Sequence, residues 1–165
     1  MSKTIDDLKA AFAGESQANR RYLAFAKKAD EEGYPQVAKL FRAAAHAETI
    51  HAHNHLRALG GIQSTAENLE TAISGEHYEV ETMYPEFMQD AEKEEVKRAL
   101  TSFHWAWEVE KVHEELYREA LDCLQDGLEE ADYYVCPVCG YVHRNSAPEK
   151  CPVCGTPGKR FEVID

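Results

Sequence analysis

The sequence predicts a mainly α-helical protein, a four-helix bundle followed by a small four-cysteine metal domain. Two observations lead to this prediction. Apolar residues recur at helical spacing, with few helix breakers, through residues 1–126. The following tail contains two Cys-x-x-Cys pairs and too few apolar residues for a core of its own. We therefore expect a bundle over 1–126, a linker over 127–134 and a metal domain over 135–165.

The first two helices are predicted from their apolar stripes and from the residues that end them. A cap at Thr4 begins the first helix, which continues to about Glu32. The segment 33–35, Gly-Tyr-Pro, ends this helix and begins the second, because glycine suits the end of a helix and proline its first turn. The second helix ends before Gly60.

The third and fourth helices follow after a short connection. The third is predicted from Thr65 to about Glu94, with breaks or kinks at 74–75, Ser-Gly, and at Pro85. The fourth helix is predicted over 95–125, and the Asp-Gly pair at 126–127 ends it. Four helices of this kind bury their apolar stripes against one another as a bundle.

Charge and composition exclude several classes of protein. The 165 residues carry a formal net charge of -12, whereas nucleic acids and anionic membranes require a basic partner surface. No run approaches the ~20 apolar residues of a membrane span. The polar N-terminus resembles neither a signal peptide nor a transit peptide, so we expect a cytoplasmic protein.

Ionisable residues interrupt the apolar stripes near the middle of each helix. The second and fourth helices each carry Glu-x-x-His, and two glutamates share this spacing in the third. Positions three apart lie on one helix face, so both side chains can reach one metal cluster. The seven candidate ligands are Glu15, Glu48, His51, Glu76, Glu79, Glu110 and His113.

This pattern predicts a pair of metal ions. Buried carboxylates are very unfavourable unless cations neutralise them, and glutamates with two Glu-x-x-His motifs form the di-iron or di-manganese arrangement. Oxygen and imidazole ligands suit both metals. A single Glu-x-x-His motif is usually a solvated helix face, but two motifs in register with inward glutamates favour metal binding.

The number of carboxylates suggests how the metal pair responds to reduction. Four glutamates balance two ferrous ions, and Glu79 adds a fifth negative charge. Five charges suit a diferric pair, especially one with an oxo or hydroxo bridge. We therefore hypothesise that one iron exchanges Glu79 for His51 on reduction.

The tail predicts a tetrahedral metal site. Cys-x-x-Cys, eleven residues, then Cys-x-x-Cys can fold two facing knuckles around one ion. Four of the five cysteines form these two pairs, and Cys123 lies apart; in a reducing cytosol this arrangement favours metal over disulfides. The cysteine spacing by itself fits zinc and iron about equally well. A redox-active bundle that needs a source of electrons favours iron. The ligands are Cys136, Cys139, Cys151 and Cys154.

These motifs resemble the rubrerythrin family over essentially the whole chain. The matching segments are Glu15 to Tyr22, Glu48 to His55, Gly75 to Pro85, Glu110 to His113 and the rubredoxin-like segment from Cys136 to Ile164. The resemblance implies a ferritin-like bundle with an oxo- and carboxylate-bridged di-iron site, followed by a rubredoxin-like iron domain. It implies bridging roles for Glu48 and Glu110 and terminal roles for the other five bundle ligands. It also implies that Tyr22 and Tyr84 hydrogen-bond to site carboxylates.

The function that the resemblance implies is reduction of hydrogen peroxide to water in oxidative-stress defence. The rubredoxin-like iron would supply electrons to the di-iron site across a head-to-tail homodimer. NAD(P)H would be the ultimate source, through a separate reductase or rubredoxin. Two alternatives remain: a ferritin-like ferroxidase that handles iron, favoured if the tail holds zinc, and a non-enzymatic zinc-ribbon module, which would leave the bundle ligands without a purpose.

Overall fold

The computed structural model describes residues 2–164 and confirms the predicted fold class. The described chain is mainly helical and ends in a small three-stranded sheet that carries the cysteine knuckles. It divides into two compact units, Met1–Gln63 and Ser64–Asp165. None of the helices in the described part is long and apolar enough to span a bilayer.

The first unit consists of helices α1 (Lys3–Glu31) and α2 (Pro35–Ala58). Gly33, with a φ of 81°, provides the left-handed turn between them. The predicted cap at Thr4 is wrong, because the helix begins one residue earlier and Ser2 occupies the cap position. The Lys3 ammonium lies 2.8 Å from the Asp7 carboxylate, which stabilises this earlier turn.

Small side chains and one buried amide hold α1 against α2. The buried positions on the two helices are mostly alanines, which allow the backbones to approach closely. Asn19 is also buried, and its Nδ2 donates to the carbonyl oxygen of Ala45 at 2.7 Å and to Thr49 Oγ1 at 2.8 Å. The amide therefore fixes the register of the two helices.

Replacing Asn19 with alanine is expected to lower the free energy of unfolding by about 1–3 kcal/mol, because the change removes two interhelical hydrogen bonds from a buried position. Denaturant unfolding followed by circular dichroism measures this loss. Gln17→Ala, at an exposed position of the same helix, is the control and should change stability by less than about 0.5 kcal/mol. Equal stability of the two variants would contradict the assigned role.

The second unit begins with α3 (Thr65–Tyr78), a π-helical segment (Glu79–Met83), α4 (Tyr84–Lys93) and α5 (Lys97–Asp122). A capping box between Ser64 and Glu67 starts α3. Glu95 has a φ of 60° in the turn between α4 and α5, so α5 begins two residues later than predicted. The rings of Tyr84, Phe87 and Phe103 then pack α4 on α5.

The predicted break at 74–75 is wrong, since α3 continues through Ser-Gly, and the irregularity lies at the π-helical segment. There the Tyr84 N–H donates to the Glu79 carbonyl five residues back. In a π-helix each carbonyl accepts a hydrogen bond from the N–H five residues later, which for Val80 would be that of Pro85. Proline has no N–H, so the Val80 carbonyl cannot be paired in this way. The indole Nε1 of Trp107 instead donates to the Val80 oxygen at 2.9 Å. Proline and tryptophan together therefore accommodate the widened turn.

The tail forms a sheet in the order β2-β1-β3, with β1 (Tyr133–Val135) paired antiparallel to β2 (Val142–Arg144) and β3 (Glu162–Ile164). Gly140 and Gly155 follow the second cysteine of each pair and have φ values of 84° and 75°. Their N–H groups donate to the carbonyls of Cys136 and Cys151 at 3.0 and 2.9 Å. These turns are the predicted knuckles.

Candidate metal centres

The first unit brings together one carboxylate–histidine set. Glu15 lies on α1, and Glu48 and His51 lie one turn apart on α2, so their ligand atoms are all within 4.8 Å of one another. His51 Nδ1 lies 2.8 Å from Glu48 Oε2 and 3.9 Å from Glu15 Oε1. Two carboxylates and an imidazole at this spacing can ligate one metal ion.

The second unit repeats this arrangement on different helices. Glu76 lies on α3, and Glu110 and His113 lie on α5, again with their ligand atoms within 4.8 Å. His113 Nδ1 lies 2.6 Å from Glu110 Oε2 and 3.9 Å from Glu76 Oε1. Each unit therefore carries one Glu-x-x-His motif and one glutamate from a neighbouring helix.

Electrostatics in the second set favour a bound cation. Burial, together with the Glu110 charge, raises the pKa of Glu76 to about 7. Burial and the same charge also raise the pKa of Glu79. A hydrogen bond to Glu110 raises the pKa of His113, although burial opposes this shift. Crowded, partly buried carboxylates are costly without neutralisation, so the donor set fits divalent metal.

The remaining predicted bundle residues, Glu79, Tyr84 and Tyr22, lie outside the two groups of three. Glu79, the first residue of the π-helical segment, is close enough to influence the pKa of Glu76, but it is outside the group of three. Burial and the charges of Glu79, Glu110 and Glu76 raise the pKa of Tyr84 to about 12, so its hydroxyl remains protonated. Tyr22 packs against two phenylalanine rings on α1 and α2.

One residue near the second set was missed by the sequence prediction of the site. Tyr117 lies one turn after His113 on α5, and burial with the charges of Glu76 and Glu110 raises its pKa. In the sequence it is only one more aromatic residue of the apolar stripe. Its spacing of four and seven residues from His113 and Glu110 is the signal that could have identified it.

The four predicted cysteines of the tail form a third set, with all sulfurs within 4.8 Å of one another. Cys136 Sγ lies 3.6 Å from Cys154 Sγ, and Cys139 Sγ lies 3.4 Å from Cys151 Sγ. A tetrahedron with metal–sulfur bonds of about 2.3 Å has edges of about 3.8 Å, whereas a disulfide bond is about 2.0 Å long. The geometry therefore fits one tetrahedral metal ion.

The hydroxyl of Thr156 supports one of these sulfurs. Thr156 is buried, and its Oγ1 lies 3.1 Å from Cys154 Sγ. Burial by itself would raise the pKa of the Cys154 thiol, but hydrogen bonds from the side chain and backbone of Thr156 and from neighbouring cysteines lower it to about 6. The site therefore stabilises a thiolate, the form that binds metal.

Replacing Thr156 with valine is expected to lower the reduction potential of the iron-loaded tail by about 40 mV. The lost hydrogen bond leaves more negative charge on sulfur, which favours ferric iron, and about 1 kcal/mol corresponds to about 40 mV for one electron. Potentiometric titration of the visible absorption measures the shift. Thr156→Ser keeps the hydroxyl and should retain the parent potential, and an unchanged potential in the valine variant would contradict the assignment.

Fold and ligand sets together define a helical carboxylate–histidine metalloprotein with a four-thiolate domain. The family model described as rubrerythrin matches residues 6–121, and the one described as rubrerythrin, rubredoxin-like domain matches residues 134–162. The chain belongs to the rubrerythrin family. Its cofactors are accordingly a di-iron carboxylate–histidine site and one iron in a four-cysteine site, for which the structure provides the donor sets.

Individual relatives resemble the chain over nearly its whole length. Rubrerythrin-2 of Clostridium acetobutylicum is 35% identical over 98% of this chain and 96% of its own. Nigerythrin of Nitratidesulfovibrio vulgaris is 37% identical over 98% of this chain and 86% of its own. The solved structure of fully reduced, all-ferrous nigerythrin matches with a TM-score of 0.60 and 36% identity, over 99% of this chain and 88% of that one. The predicted class, an iron-binding oxidoreductase of the rubrerythrin family, is confirmed.

Proposed function

We propose that this protein is a non-haem di-iron peroxidase that reduces hydrogen peroxide to water in cytoplasmic oxidative-stress defence. The reaction H2O2 + 2H+ + 2e- → 2H2O needs an electron store at the reaction site and a way to refill it. The observation that carries the proposal is the presence of both in one chain, as two carboxylate–histidine sets and a four-cysteine site. The rubredoxin-like iron is proposed as the immediate electron donor.

The proposed ligands of the iron pair are the three members of each carboxylate–histidine set, together with Glu79. The members of each set approach one another closely enough to bind metal, and membership of the family supports their assignment. The resemblance to the family implies bridging roles for Glu48 and Glu110, and we propose these roles here. Each carboxylate lies beside the histidine of its own set, at 2.8 and 2.6 Å. The exchange of Glu79 for His51 on reduction remains a prediction.

When bound, the iron pair supplies two electrons per peroxide and polarises the O–O bond. The protein must then deliver protons and hold the carboxylates in place. We assign proton delivery to Glu79, the first residue of the π-helical segment, because such irregularities are frequent at functional sites. Burial and the Glu110 charge raise the pKa of this carboxyl, which favours its protonated form. The pKa of Tyr84 is raised to about 12, so its hydroxyl keeps its proton at neutral pH and can donate a hydrogen bond to a site carboxylate. We propose the same role for Tyr22.

Electrons are proposed to arrive from an external reductase or rubredoxin, ultimately from NAD(P)H. The sequence contains no dinucleotide-binding glycine motif, which is consistent with a separate donor protein. A homodimer is the proposed assembly. Size-exclusion chromatography with light scattering measures its mass directly.

An anaerobic titration of the fully reduced, iron-loaded protein tests the proposed reaction. We expect each peroxide to remove two electrons, to form two waters and to leave no free radical products. Dioxygen at the same concentration should oxidise the protein much more slowly. Oxidation by dioxygen that outpaces oxidation by peroxide, with release or storage of ferric iron, would support the ferroxidase alternative and overturn the proposal.

A further inference from the structure

Helix α5 holds the π-helical segment at both of its ends. Near the start, the indole Nε1 of Trp107 donates to the Val80 carbonyl oxygen at 2.9 Å. Directly after the end, the ring of Tyr84 packs against the ring of Phe103, with 6.3 Å between the centroids. Phe103 and Trp107 are four residues apart and therefore lie on one face of α5. This face fixes the segment at two points.

The widened turn also determines which side chains lie near one another. Residues five apart are rotated by about 140° in an α-helix, so Glu79 and Tyr84 would point to different sides. The hydrogen bond from the Tyr84 N–H to the Glu79 carbonyl closes a wider turn, which brings the two positions closer to one face. Burial is the main cause of the raised pKa of Tyr84, and the Glu79 charge is the next. The tyrosine therefore lies within electrostatic range of this carboxylate.

The Trp107 indole is itself held in place. The Lys111 ammonium, one turn further along α5, lies 3.1 Å from the centroid of the Trp107 ring, a cation–π contact. It also lies 3.0 Å from Glu108 Oε1. A cavity of about 490 Å³ opens beside these residues, with Val80, Trp107 and Lys111 in its lining. The cavity lets water approach the Val80 carbonyl, whereas the indole gives that carbonyl a donor at a fixed position.

We propose that Trp107 is a positioning residue for Glu79. By holding the carbonyl of Val80, the residue directly after Glu79, the indole keeps the turn widened and keeps Glu79 on the side of Tyr84. Pro85 cannot supply a backbone donor to that carbonyl, so the indole is the group that fixes it. Trp107 acts through the backbone and does not need to touch the iron pair or peroxide. The inference rests on the proposed function, in which Glu79 delivers protons.

Hydrogen exchange tests the contact without peroxide. In zinc-loaded protein, Trp107→Phe keeps an aromatic ring but removes the indole donor, so the turn should open more often. Exchange of the Tyr84 amide, which makes the π-type hydrogen bond, is expected to rise by about fivefold or more. NMR measures the rate at this single amide. Unchanged exchange would refute the role of Trp107 in holding the turn.

Trp105→Phe is the matched control, since it makes the same change two residues earlier on α5. Trp105 is also half-buried, but its indole donates no hydrogen bond within residues 2–164. This variant should leave the exchange rate of the Tyr84 amide within about twofold of the wild-type rate. An equal rise in both variants would show a general loosening of α5 and would contradict the proposal.

Steady-state kinetics of the iron-loaded protein separate positioning from binding. Trp107→Phe is expected to lower kcat for peroxide by about tenfold or more and to leave KM within about twofold, because a misplaced proton donor slows the reaction without weakening peroxide binding. Iron content should stay at the wild-type level. Faster exchange of the Tyr84 amide with an unchanged kcat would overturn the positioning role. A wild-type protein that fails to reduce peroxide would refute the proposed function instead, while the exchange result still decides whether Trp107 holds the turn.

Discussion

Replacing Cys136 and Cys151 with serine is expected to unfold residues 133–164 and to abolish the visible absorption of the four-thiolate iron. The tail has three strands of three residues each, and its most buried side chains are those two cysteines, 1% and 2% exposed. Such a small module depends on its metal, whose binding contributes roughly 10 kcal/mol or more of folding free energy in comparable sites. Two-dimensional NMR of the tail amides measures the loss.

The control for this experiment is Cys123→Ser, at the C-terminal end of α5. Cys123 is outside the four-cysteine set, so its replacement should preserve both the colour and the tail amide signals. The helical signals of all three proteins should remain similar, because the helices do not depend on the tail metal. Dispersed tail signals in the metal-free double variant would contradict a metal-dependent fold.

Replacing Glu110 with glutamine is expected to remove the iron pair and to lower peroxide turnover by at least about a hundredfold. Changing groups that merely support a metal ligand already costs about 10–100-fold in affinity or activity, and Glu110 is a proposed bridging ligand. Its carboxylate lies 2.6 Å from His113 Nδ1, so the substitution also leaves this imidazole without its anionic partner. Iron analysis and steady-state turnover measure the two losses.

Glu114→Gln is the matched control because Glu114 lies one turn further along α5 and binds Arg118 and His77 rather than metal ligands. This variant should retain the iron pair and most of the turnover. In the Glu110 variant, the four-thiolate iron should remain, since the cysteine set does not include α5. Full iron content together with full turnover in Glu110→Gln would refute the proposed ligand assignment.

The sequence predicted the helices, and the close approach of the candidate ligands within each motif, because both depend on local periodicity. The spacing of Glu48 with His51, and of Glu110 with His113, places each pair on one helix face, and the structure confirms their close approach. The paired cysteines are similarly constrained by short turns that require glycine. In each case, residues close in sequence determine the geometry.

Features that depend on long-range contacts were not predictable in the same way. The position of the irregular turn in the third predicted helix depends on the Trp107 indole reaching the Val80 carbonyl, 27 residues away. Pro85 was correctly associated with an irregularity, but Gly75 was not, because an isolated glycine can be accommodated within a helix. The packing of Gly140 on Val109 and the proximity of Tyr117 to the carboxylates likewise required the folded chain.

A stopped-flow experiment on fully reduced, iron-loaded protein tests the proposed peroxidase most directly. The protein is mixed anaerobically with stoichiometric peroxide, or separately with dioxygen, and the visible colour of the ferric four-thiolate iron is followed. We predict rapid return of the colour with peroxide and slow return with dioxygen, because the tail replaces electrons consumed by peroxide reduction. No colour in any state, or rapid return with dioxygen alone, would contradict a peroxidase that uses the four-cysteine iron as its electron donor.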